Sequence, residues 1–291
     1  MTQTTENWNV VSMLNWGTEY FRERNIISPR LSIEWLLAEV LGIKRLDLYM
    51  QFDRPLSRKE LAAVKPLILR RAKHEPLQYI TGSTEFFNAV IKVTPDTLIP
   101  RPETEQLVEI LLSENKQEGP LRILDVGTGS GCIAIAIKKE RPGWAVSALE
   151  ISREALNVAK TNAELNKTEI AFAQGDLYGW QDTGLKNGYD IVVSNPPYIT
   201  ESEREALDEQ VKRYEPEPAL FTGDIKATYT ALGDMARQLL RPGGRLYLET
   251  NEHHCETLLS LFDADIWTAE ALTDYGNKRR FIRGFLSGKV V

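Results

Sequence analysis

The chain has few cysteines, no long apolar run and no excess of positive charge. Cys132 and Cys255 are the only cysteines among 291 residues, which is too few for a disulfide framework or a cysteine-based metal site. No apolar run approaches the roughly 18 residues that a membrane-spanning helix needs. Residues 1–6 lack the basic and then apolar pattern of an export signal. We therefore expect a cytoplasmic protein with reduced cysteines, no metal and no membrane segment.

Positive charge is scarcest in the longer, C-terminal part of the chain. Residues 1–82 contain 12 Lys or Arg against 9 Asp or Glu, while the remainder has 23 against 32. Several of these acids follow Tyr198 closely, within residues 201–209. An acidic surface repels phosphates, so it argues against a DNA or RNA duplex as substrate. Each acid taken alone fits equally well on the solvated face of a helix.

The length and the distribution of patterns predict two domains. With 291 residues and 42% apolar content, the chain can build two packed cores. Residues 1–82 show helical spacing with serines before first turns, which predicts a small helical bundle. Residues 83–102 contain a strand pair that would link it to an α/β domain, residues 103–291. Arg70 to Lys73, at the end of the bundle, fits either a partner contact or a solvated face.

A glycine loop follows the first predicted strand of the α/β domain. The apolar run Leu121–Val126 leads into Gly127-Thr128-Gly129-Ser130-Gly131, and a helical pattern begins at Cys132. Glycines at alternate positions let the backbone pass close to a ligand and turn into a helix. The loop lacks the lysine of a phosphate-binding Walker loop and the G-x-G-x-x-G spacing of dinucleotide sites. Asp125 would also repel a pyrophosphate, whereas it suits the cationic methionine end of S-adenosylmethionine.

Two further strands end in acids that suit a nucleoside. Glu150 ends the next predicted strand, where a carboxylate can accept hydrogen bonds from both ribose hydroxyls. Asp176 and Leu177 follow the third strand and could hold the adenine amino group and ring. Two structural interpretations stay open: Asp176 capping the turn before Trp180, and Glu150 as a plain solvated acid.

Asn195-Pro196-Pro197-Tyr198 is the most distinctive motif of the chain. It follows the apolar run Asp190–Val193, so the motif stands at the end of a buried strand. Both prolines interrupt regular structure and restrict the residue before them, which predicts a rigid extended corner. Such a corner can hold a planar amide or amino group. A simple proline turn that ends the strand is the structural alternative.

Together these motifs resemble class I S-adenosylmethionine-dependent methyltransferases that modify planar nitrogens. Three further stretches resemble the PrmC/HemK family of peptide chain release factor glutamine methyltransferases: residues 75–82, Glu85-Phe86-Phe87, and Leu98-Ile99-Pro100-Arg101-Pro102-Glu103-Thr104-Glu105. The resemblance extends from about residue 14 to the C-terminus and includes Asp274-Tyr275-Gly276 and Arg280. It implies a Rossmann-like sheet of seven strands, the last antiparallel, joined by a β-hairpin to an N-terminal helical domain for substrate recognition.

The resemblance also implies a reaction and a set of site residues. The methyl group of S-adenosyl-L-methionine would pass to the N5 amide of the glutamine in the Gly-Gly-Gln loop of class-1 release factors, leaving S-adenosyl-L-homocysteine. The protein would be a monomer without a direct nucleic-acid substrate. The implied cofactor-binding residues are Asp125, Gly127, Thr128, Gly129, Ser130, Gly131, Glu150, Asp176, Leu177 and Asn195. The implied substrate-binding residues are Asn195, Pro196, Pro197 and Tyr198, of which Asn195, Pro196 and Tyr198 would be catalytic, and Arg101 and Glu103 would line the cofactor entrance.

The chain departs from the family pattern at three places. Glu150 stands where many members carry Asp, Leu177 replaces an aromatic residue of some members, and residues 249–254 replace the pattern Glu-x-Gly-x-x-Gln. Two alternative functions stay open at this point. One is a nucleic-acid amino-methyltransferase acting on adenine N6 or guanine N2, and the other is a cofactor-binding module without transferase activity.

Overall fold

A computed structural model describes residues 8–116 and 119–287. The α-helices of this part are α1 Val10–Arg22, α2 Pro29–Leu41, α3 Arg58–Arg71, α4 Leu77–Thr81, α5 Pro102–Glu114, α6 Cys132–Glu140, α7 Arg153–Leu165, α8 Glu209–Tyr214, α9 Glu217–Leu220, α10 Ile225–Leu239 and α11 Cys255–Leu259. The strands are β1 Ser83–Phe86, β2 Ala89–Lys92, β3 Arg122–Val126, β4 Ala145–Glu150, β5 Ile170–Gln174, β6 Tyr189–Ser194, β7 Leu240–Glu249, β8 Trp267–Thr273 and β9 Arg279–Leu286. Short 3-10 helices cover Arg45–Met50, Leu177–Thr183 and Glu201–Ala206.

The chain divides into two compact units. The first contains the residues up to Gly82 together with Asp208–Tyr214, and the second contains Ser83–Leu207 and the residues from Glu215 onward. The hairpin segment 83–102 therefore clusters with the second unit, and α8 clusters with the first. The assignment of residues 1–82 to substrate recognition, of 83–102 to a linker and of 103–291 to catalysis stays a prediction.

The first unit is a small helical bundle, as its sequence pattern predicts. Its core contains Leu14, Phe21 and Leu37, all with no exposed surface, on α1 and α2. Ser57 caps α3 in a capping box: its hydroxyl accepts the Glu60 N–H at 3.2 Å, and the Glu60 carboxylate accepts the Ser57 N–H at 2.7 Å. Not every serine in this unit stands before a first turn: Ser32, which opens the apolar helical pattern of residues 32–41, lies inside α2, because α2 begins at Pro29, whose fixed φ suits a first helical position.

Gly17 on α1 packs directly against Ile33 on α2. An added Cβ at Gly17 would stand 2.7 Å from Ile33 Cδ1, and Ile33 is fully buried. We expect Gly17→Ala to lower the melting temperature, because overpacking costs about 1–3 kcal/mol, more than the about 0.5–1 kcal/mol that alanine gains in a helix. Thermal unfolding of Gly17→Ala, Ile33→Ala and the double variant tests this, since Ile33→Ala removes the two nearest atoms, Cγ1 and Cδ1, and the double variant should lose less than the sum of the two single losses. A higher melting temperature for Gly17→Ala would contradict the expected steric conflict.

Arg71 occupies a position that neither sequence interpretation anticipated. It is 4% exposed, so it belongs neither to a solvated face nor to a partner surface. Its guanidinium donates to Ser32 Oγ at 3.1 Å, to the Glu75 carbonyl at 2.8 Å and to Gln210 Oε1 at 3.1 Å. Burial lowers the pKa of Arg71. The side chain thus joins α2, the end of α3 and α8 inside the first unit.

The second unit contains a seven-stranded sheet in the order β5-β4-β3-β6-β7-β9-β8. Strands β3 to β7 pair in parallel, while β9 pairs antiparallel with both β7 and β8. The predicted seven strands and the antiparallel last strand are confirmed. The chain order reverses between β3 and β6, and ligands of open α/β sheets bind at the strand ends beside such a reversal.

The β1–β2 hairpin lies on the outside of this sheet against α6 and α7. Asn162 of α7, fully buried, accepts the Lys92 N–H at 2.8 Å and donates to the carbonyl oxygens of Lys92 and Ser130 at 2.9 Å each. One side chain therefore fastens the hairpin to the glycine loop. No helix in the described ranges, 8–116 and 119–287, is both long and apolar enough to cross a membrane.

Candidate active site

The carboxyl ends of β3, β4 and β6 lie side by side. Val126 pairs with Leu149 of β4 and with Ser194 of β6, so the residues that follow these strands meet at one edge of the sheet. A cavity of about 550 Å³ opens there, a size typical of ligand sites. Of the predicted site residues, its wall includes Gly127, Gly129, Glu150, Asp176, Leu177, Asn195, Pro196 and Pro197.

The glycine loop has the backbone conformation that its sequence predicts. Gly127, Gly129 and Gly131 have φ values of 69°, 55° and 83°, in the left-handed region that favours glycine. A Cβ at Gly131 would also stand 3.2 Å from Ala159 Cβ on α7. The loop can therefore run close to a ligand at Gly127 and Gly129 while Gly131 packs tightly and begins α6.

Asp125 lies behind the glycine loop instead of on the cavity wall. It has no exposed surface, and its Oδ2 accepts the Thr128 hydroxyl at 2.6 Å and the Ala134 N–H at 3.3 Å. Its Oδ1 is buried without a hydrogen-bond partner among the described residues. Burial raises the pKa of Asp125 to about 7. An unpartnered buried carboxyl oxygen beneath the loop fits a cationic ligand, such as the methionine end of S-adenosylmethionine.

Thr128 and Ser130 shape the loop from within. Both are buried, at 5% and 3% exposure, and the Thr128 hydroxyl donates to Asp125. The Ser130 carbonyl accepts from Asn162. The structure therefore places these two residues where they hold the loop in shape, and direct contact of their side chains with a cofactor stays a prediction.

Glu150 stands on the cavity wall with its carboxylate already oriented by the backbone. Its Oε2 accepts the Gly129 N–H at 2.8 Å, and its Oε1 accepts the Ser152 N–H at 2.9 Å. Each carboxylate oxygen has two lone-pair sites, so one site per oxygen is left for ribose hydroxyls. The plain solvated-acid interpretation is wrong, because Glu150 is 7% exposed.

Asp176 and Leu177 line the same cavity, after the strand β5 whose Gln174 pairs with Glu150. Asp176 accepts the Tyr178 N–H at 3.2 Å and begins the 3-10 helix, so the capping interpretation is confirmed for its side chain. A contact with adenine stays a prediction. Ile151 and Tyr178, which the sequence analysis did not single out, also line the wall and are largely exposed, at 60% and 61%.

Asn195 and Tyr198 are joined to a buried acid that the sequence analysis did not identify. Asn195 Nδ2 donates to Thr104 Oγ1 at 3.0 Å, and the Thr104 hydroxyl donates to Glu249 Oε2 at 2.8 Å. The Tyr198 hydroxyl lies 3.4 Å from Glu249 Oε1. Thr104 lies within the Pro-Arg-Pro-Glu-Thr-Glu stretch and Glu249 ends β7, so their positions in the sequence were the available signals.

Burial dominates the electrostatics of this group. Glu249 is 1% exposed, and desolvation raises the pKa of its carboxyl to about 7 although Thr104 donates to it. Burial is the main cause that raises the pKa of Tyr198 well above its usual value, and the negative charge of the nearby Glu249 adds to this effect. Tyr198 therefore stays a neutral phenol that can donate a hydrogen bond at physiological pH.

Arg101 and Glu103 do not stand on the cavity wall. Arg101 forms an ion pair of 2.5 Å with Glu215, which is 5% exposed and also accepts the Ile99 N–H at 3.2 Å. The neighbouring residues 96–98 line the cavity instead. That Arg101 and Glu103 line the cofactor entrance stays a prediction.

Two of the acids that follow Tyr198 form hydrogen bonds or ion pairs within the protein. Glu203 accepts from the Thr200 N–H at 2.8 Å and from Asn251 Nδ2 at 3.2 Å, and it lies 3.2 Å from His254 Nε2. Burial opposes its ionisation, but these hydrogen bonds outweigh burial and lower the pKa of Glu203. Glu201 pairs with Arg204. Of these acids, Glu203 links the loop after β6 to the loop after β7, while Glu201 pairs within its own loop.

Within residues 8–116 and 119–287, no group of three or more His, Cys, Asp or Glu side chains is arranged to hold a metal ion. The reversed strand order, the glycine loop, the Glu150 carboxylate on the cavity wall and the Asn-Pro-Pro-Tyr corner define a class I S-adenosylmethionine-dependent methyltransferase. Two solved structures share this fold. A methyltransferase from Pyrococcus furiosus has a TM-score of 0.50, 18% identity, and coverage of 70% of this chain and 91% of its own.

The second is a T. thermophilus 16S rRNA N2 G1207 methyltransferase in complex with AdoMet and guanosine. It has a TM-score of 0.50 and 17% identity, and the match covers 71% of this chain and 50% of that one. Two family models match this chain: the PrmC N-terminal domain over residues 12–82 and the methyltransferase small domain over residues 103–213.

Similarity in sequence extends over nearly the whole chain. The release factor glutamine methyltransferase of Geobacter sulfurreducens is 40% identical over 275 residues, covering 93% of this chain and 95% of its own. That of Chlorobaculum tepidum is 38% identical over 281 residues, covering 94% and 96%. This protein belongs to the release factor glutamine methyltransferase family.

Proposed function

We propose that this protein methylates the side-chain N5 amide of the glutamine in the Gly-Gly-Gln loop of class-1 peptide chain release factors. The observation that carries the proposal is 40% identity to a release factor glutamine methyltransferase over 93% of this chain and 95% of that relative. The Asn195 corner beside the glycine-lined cavity supplies matching chemistry. The protein would act as a monomer in the cytoplasm, and the proposal assigns no step to a metal.

The cavity provides complementary groups for S-adenosyl-L-methionine at each of its parts. Glu150 would accept the ribose hydroxyls, Asp176 and Leu177 would contact adenine, and Gly127 to Gly131 would follow the methionine part above Asp125. When bound, the cofactor supplies an electrophilic methyl group on a positively charged sulfur and leaves as S-adenosyl-L-homocysteine. The residues of this chain must then make a poor nucleophile reactive.

An amide nitrogen is a poor nucleophile because its lone pair is delocalised into the carbonyl. The same resonance gives the peptide bond a rotation barrier of ~18–20 kcal/mol. We assign the Asn195 side-chain oxygen and the Pro196 carbonyl as acceptors for the two N–H groups of the substrate amide. Fixing both protons orients the nitrogen lone pair toward its target in a near-attack geometry. Asn195 has its Nδ2 directed to Thr104, which is consistent with its Oδ1 facing the substrate.

Pro197 and Tyr198 complete the proposed substrate pocket. The Tyr198 ring would lie on the amide plane and exclude water, and its hydroxyl is held near Glu249 at 3.4 Å. The diproline stretch keeps the corner rigid, so Asn195 and Pro196 present their oxygens in a fixed relation. The proton lost from the methylated amide goes to water or leaves through Asn195.

A nucleic-acid amino-methyltransferase is the second candidate, because planar nitrogens of bases suit the same corner. The T. thermophilus rRNA enzyme supports only the shared fold at 17% identity. Residues 83–291 carry 23 Lys or Arg against 32 Asp or Glu, which does not favour a phosphate backbone. The relatives named release factor glutamine methyltransferase match over nearly their full length.

A methyl-transfer assay separates the two candidates. Purified protein is incubated with methyl-labelled S-adenosylmethionine and either a class-1 release factor, the same factor with its Gly-Gly-Gln glutamine replaced by alanine, total rRNA, or DNA. We expect label in the intact release factor alone, on that glutamine by peptide mass spectrometry. Label in rRNA or DNA, or equal label in the alanine-substituted factor, would overturn the proposed substrate.

A further inference from the structure

The two side chains assigned to the substrate amide share one buried carboxylate. The Thr104 hydroxyl lies between Asn195 Nδ2, at 3.0 Å, and Glu249 Oε2, at 2.8 Å. The other carboxylate oxygen, Oε1, lies 3.4 Å from the Tyr198 hydroxyl. Thr104 and Glu249 are 2% and 1% exposed, so water does not compete for these positions. Glu249 is thus hydrogen-bonded directly to Tyr198 and linked to Asn195 through Thr104.

The chain of hydrogen bonds has a direction because a hydroxyl carries only one proton. An ionised carboxylate accepts and never donates, so Thr104 must give its proton to Glu249. The Thr104 oxygen can then only accept, which requires the NH₂ end of the Asn195 carboxamide to face it. The Asn195 oxygen is consequently turned away from Thr104. The charge on Glu249 therefore selects one of the two orientations of the Asn195 amide.

The surrounding fold holds Glu249 in place. The Tyr229 hydroxyl donates to the Glu249 carbonyl at 2.5 Å, and the next N–H, that of Thr250, donates to the Arg280 carbonyl at 2.8 Å. Thr104 lies in the first turn of α5, whose start is fixed by Pro102. The backbone of Glu249 and that of Thr104 are thus held by β7, β9 and α5.

We infer that Thr104 and Glu249 are positioning residues that set the orientation of the Asn195 carboxamide, so that its oxygen and not its NH₂ group faces the substrate amide. This inference rests on the proposed role of Asn195 as an acceptor. A reversed Asn195 would present its own N–H donors to the N–H donors of the substrate. Thr104 and Glu249 act on the reaction through Asn195 without touching the reacting atoms.

The orientation should depend on pH because a protonated Glu249 can donate to Thr104 and release the constraint. Burial raises the pKa of Glu249 to about 7, so the selecting charge is gained as pH rises through this value and lost as pH falls below it. The titratable and charged groups facing Glu249 from the surrounding elements are Glu103 on α5, Cys132 on α6, Tyr198 after β6, Tyr229 on α10 and Arg280 on β9.

Three variants test the inference by kinetics with a release factor substrate. Thr104→Val removes the hydroxyl at constant volume, and Glu249→Gln removes the charge at constant shape. We expect each to lower kcat about tenfold, with KM for S-adenosylmethionine little changed. Thr104→Ser, which restores the hydroxyl, should recover kcat to within about threefold of the parent. The rise of kcat around pH 7 should be absent in Glu249→Gln.

Thr18→Val is the matched control for Thr104→Val. Thr18 is a buried threonine on α1 whose hydroxyl donates to the Leu14 carbonyl at 2.6 Å, in the first unit and outside the active site. Its replacement should leave kcat and the pH profile as in the parent. Calorimetric binding of S-adenosylmethionine shows that each variant is folded. A Thr104→Val enzyme with the kcat and pH profile of the parent would overturn the inference. So would a Thr104→Ser enzyme whose kcat is as low as that of Thr104→Val.

A second measurement needs no methyl transfer. With ¹⁵N-labelled asparagine, the Asn195 side-chain NH₂ signal is identified by its absence in Asn195→Ser. We expect the chemical shift of this signal to change with pH, with the same midpoint as the titration of the Glu249 carboxyl, which is measured through its own ¹³C signal. In Thr104→Val the Asn195 signal should lose this pH dependence. A signal in the parent that ignores the Glu249 titration would overturn the inference.

The two measurements separate this inference from the proposed function. If the parent transfers no methyl to release factor but the Asn195 signal follows Glu249, the substrate assignment fails and the positioning stands. If the parent is active on release factor but Thr104→Val is equally active, the positioning fails and the proposed function stands.

Discussion

Asn195→Ala is expected to lower kcat on release factor by about 10²–10³, by analogy with the removal of one positioned oxyanion-hole donor. The reason is that the alanine variant has no acceptor for one of the two substrate N–H groups, so the amide is free to rotate away from the reactive orientation. The binding of S-adenosylmethionine should change little, because the wall formed by Gly127, Glu150 and Leu177 is untouched. Single-turnover kinetics measures the first effect and calorimetry the second.

The matched control for Asn195→Ala is Asn187→Ala, which truncates an exposed asparagine before β6 and should leave both quantities unchanged. Asn195→Asp is a sharper test of the polarity argued above. An ionised aspartate cannot donate to Thr104, so the introduced carboxylate and Glu249 would compete for the single proton of the Thr104 hydroxyl. We expect Asn195→Asp to be as inactive as the alanine variant. Near-parental turnover in Asn195→Ala would refute the acceptor role.

Local pattern was sufficient to predict the parts of the site that each depend on one strand and its loop. The glycine loop, Glu150 and Asn195 follow β3, β4 and β6, and parallel strands bring their carboxyl ends to one edge. The left-handed conformations of Gly127 to Gly131 need glycine, so the sequence records them directly. The seven strands could also be predicted locally, because each is an apolar run bounded by turn residues.

Pairings between distant segments could not be read from local pattern. Thr104 and Glu249 are 145 residues apart, and Arg101 and Glu215 are 114 apart. In the sequence, Glu249 is an acid at the end of an apolar run, with no sign that α5 covers it. Arg71 shows the converse error: a basic cluster indicates solvent, yet its guanidinium is buried among hydroxyl, amide and carbonyl oxygens. Polar side chains whose partners lie far along the chain require the packed fold.

Asp176 has a structural role and also a position suited to ligand contact. Its carboxylate caps the 3-10 helix by accepting the Tyr178 N–H, and the residue also borders the cavity. A carboxylate has more acceptor sites than this cap uses. The structural role therefore leaves room for the proposed adenine contact.

Glu150→Ala should weaken the binding of S-adenosylmethionine by about 10- to 150-fold, the equivalent of about 1.5–3 kcal/mol for hydrogen bonds to a charged group. Two causes act together. The ribose hydroxyls lose their acceptor, and the Gly129 N–H, which Glu150 accepts at 2.8 Å, loses the group that orders the glycine loop. Glu150→Gln retains one acceptor oxygen and should fall between the parent and the alanine variant. Calorimetric titration measures all three.

Glu164→Ala provides the matched control, because Glu164 is an exposed acid near the C-terminal end of α7, is not on the wall of this cavity, and should not affect the affinity. Competition with adenosine separates the two causes. If the ribose contact dominates, Glu150→Ala weakens adenosine and S-adenosylmethionine by similar factors, since both carry the same hydroxyls. If loop order dominates, S-adenosylmethionine loses more, since only its methionine part follows Gly127 to Gly131. Unchanged affinity for both ligands would place the ribose contact elsewhere on the wall, where Ser152 and Asp176 are among the polar side chains.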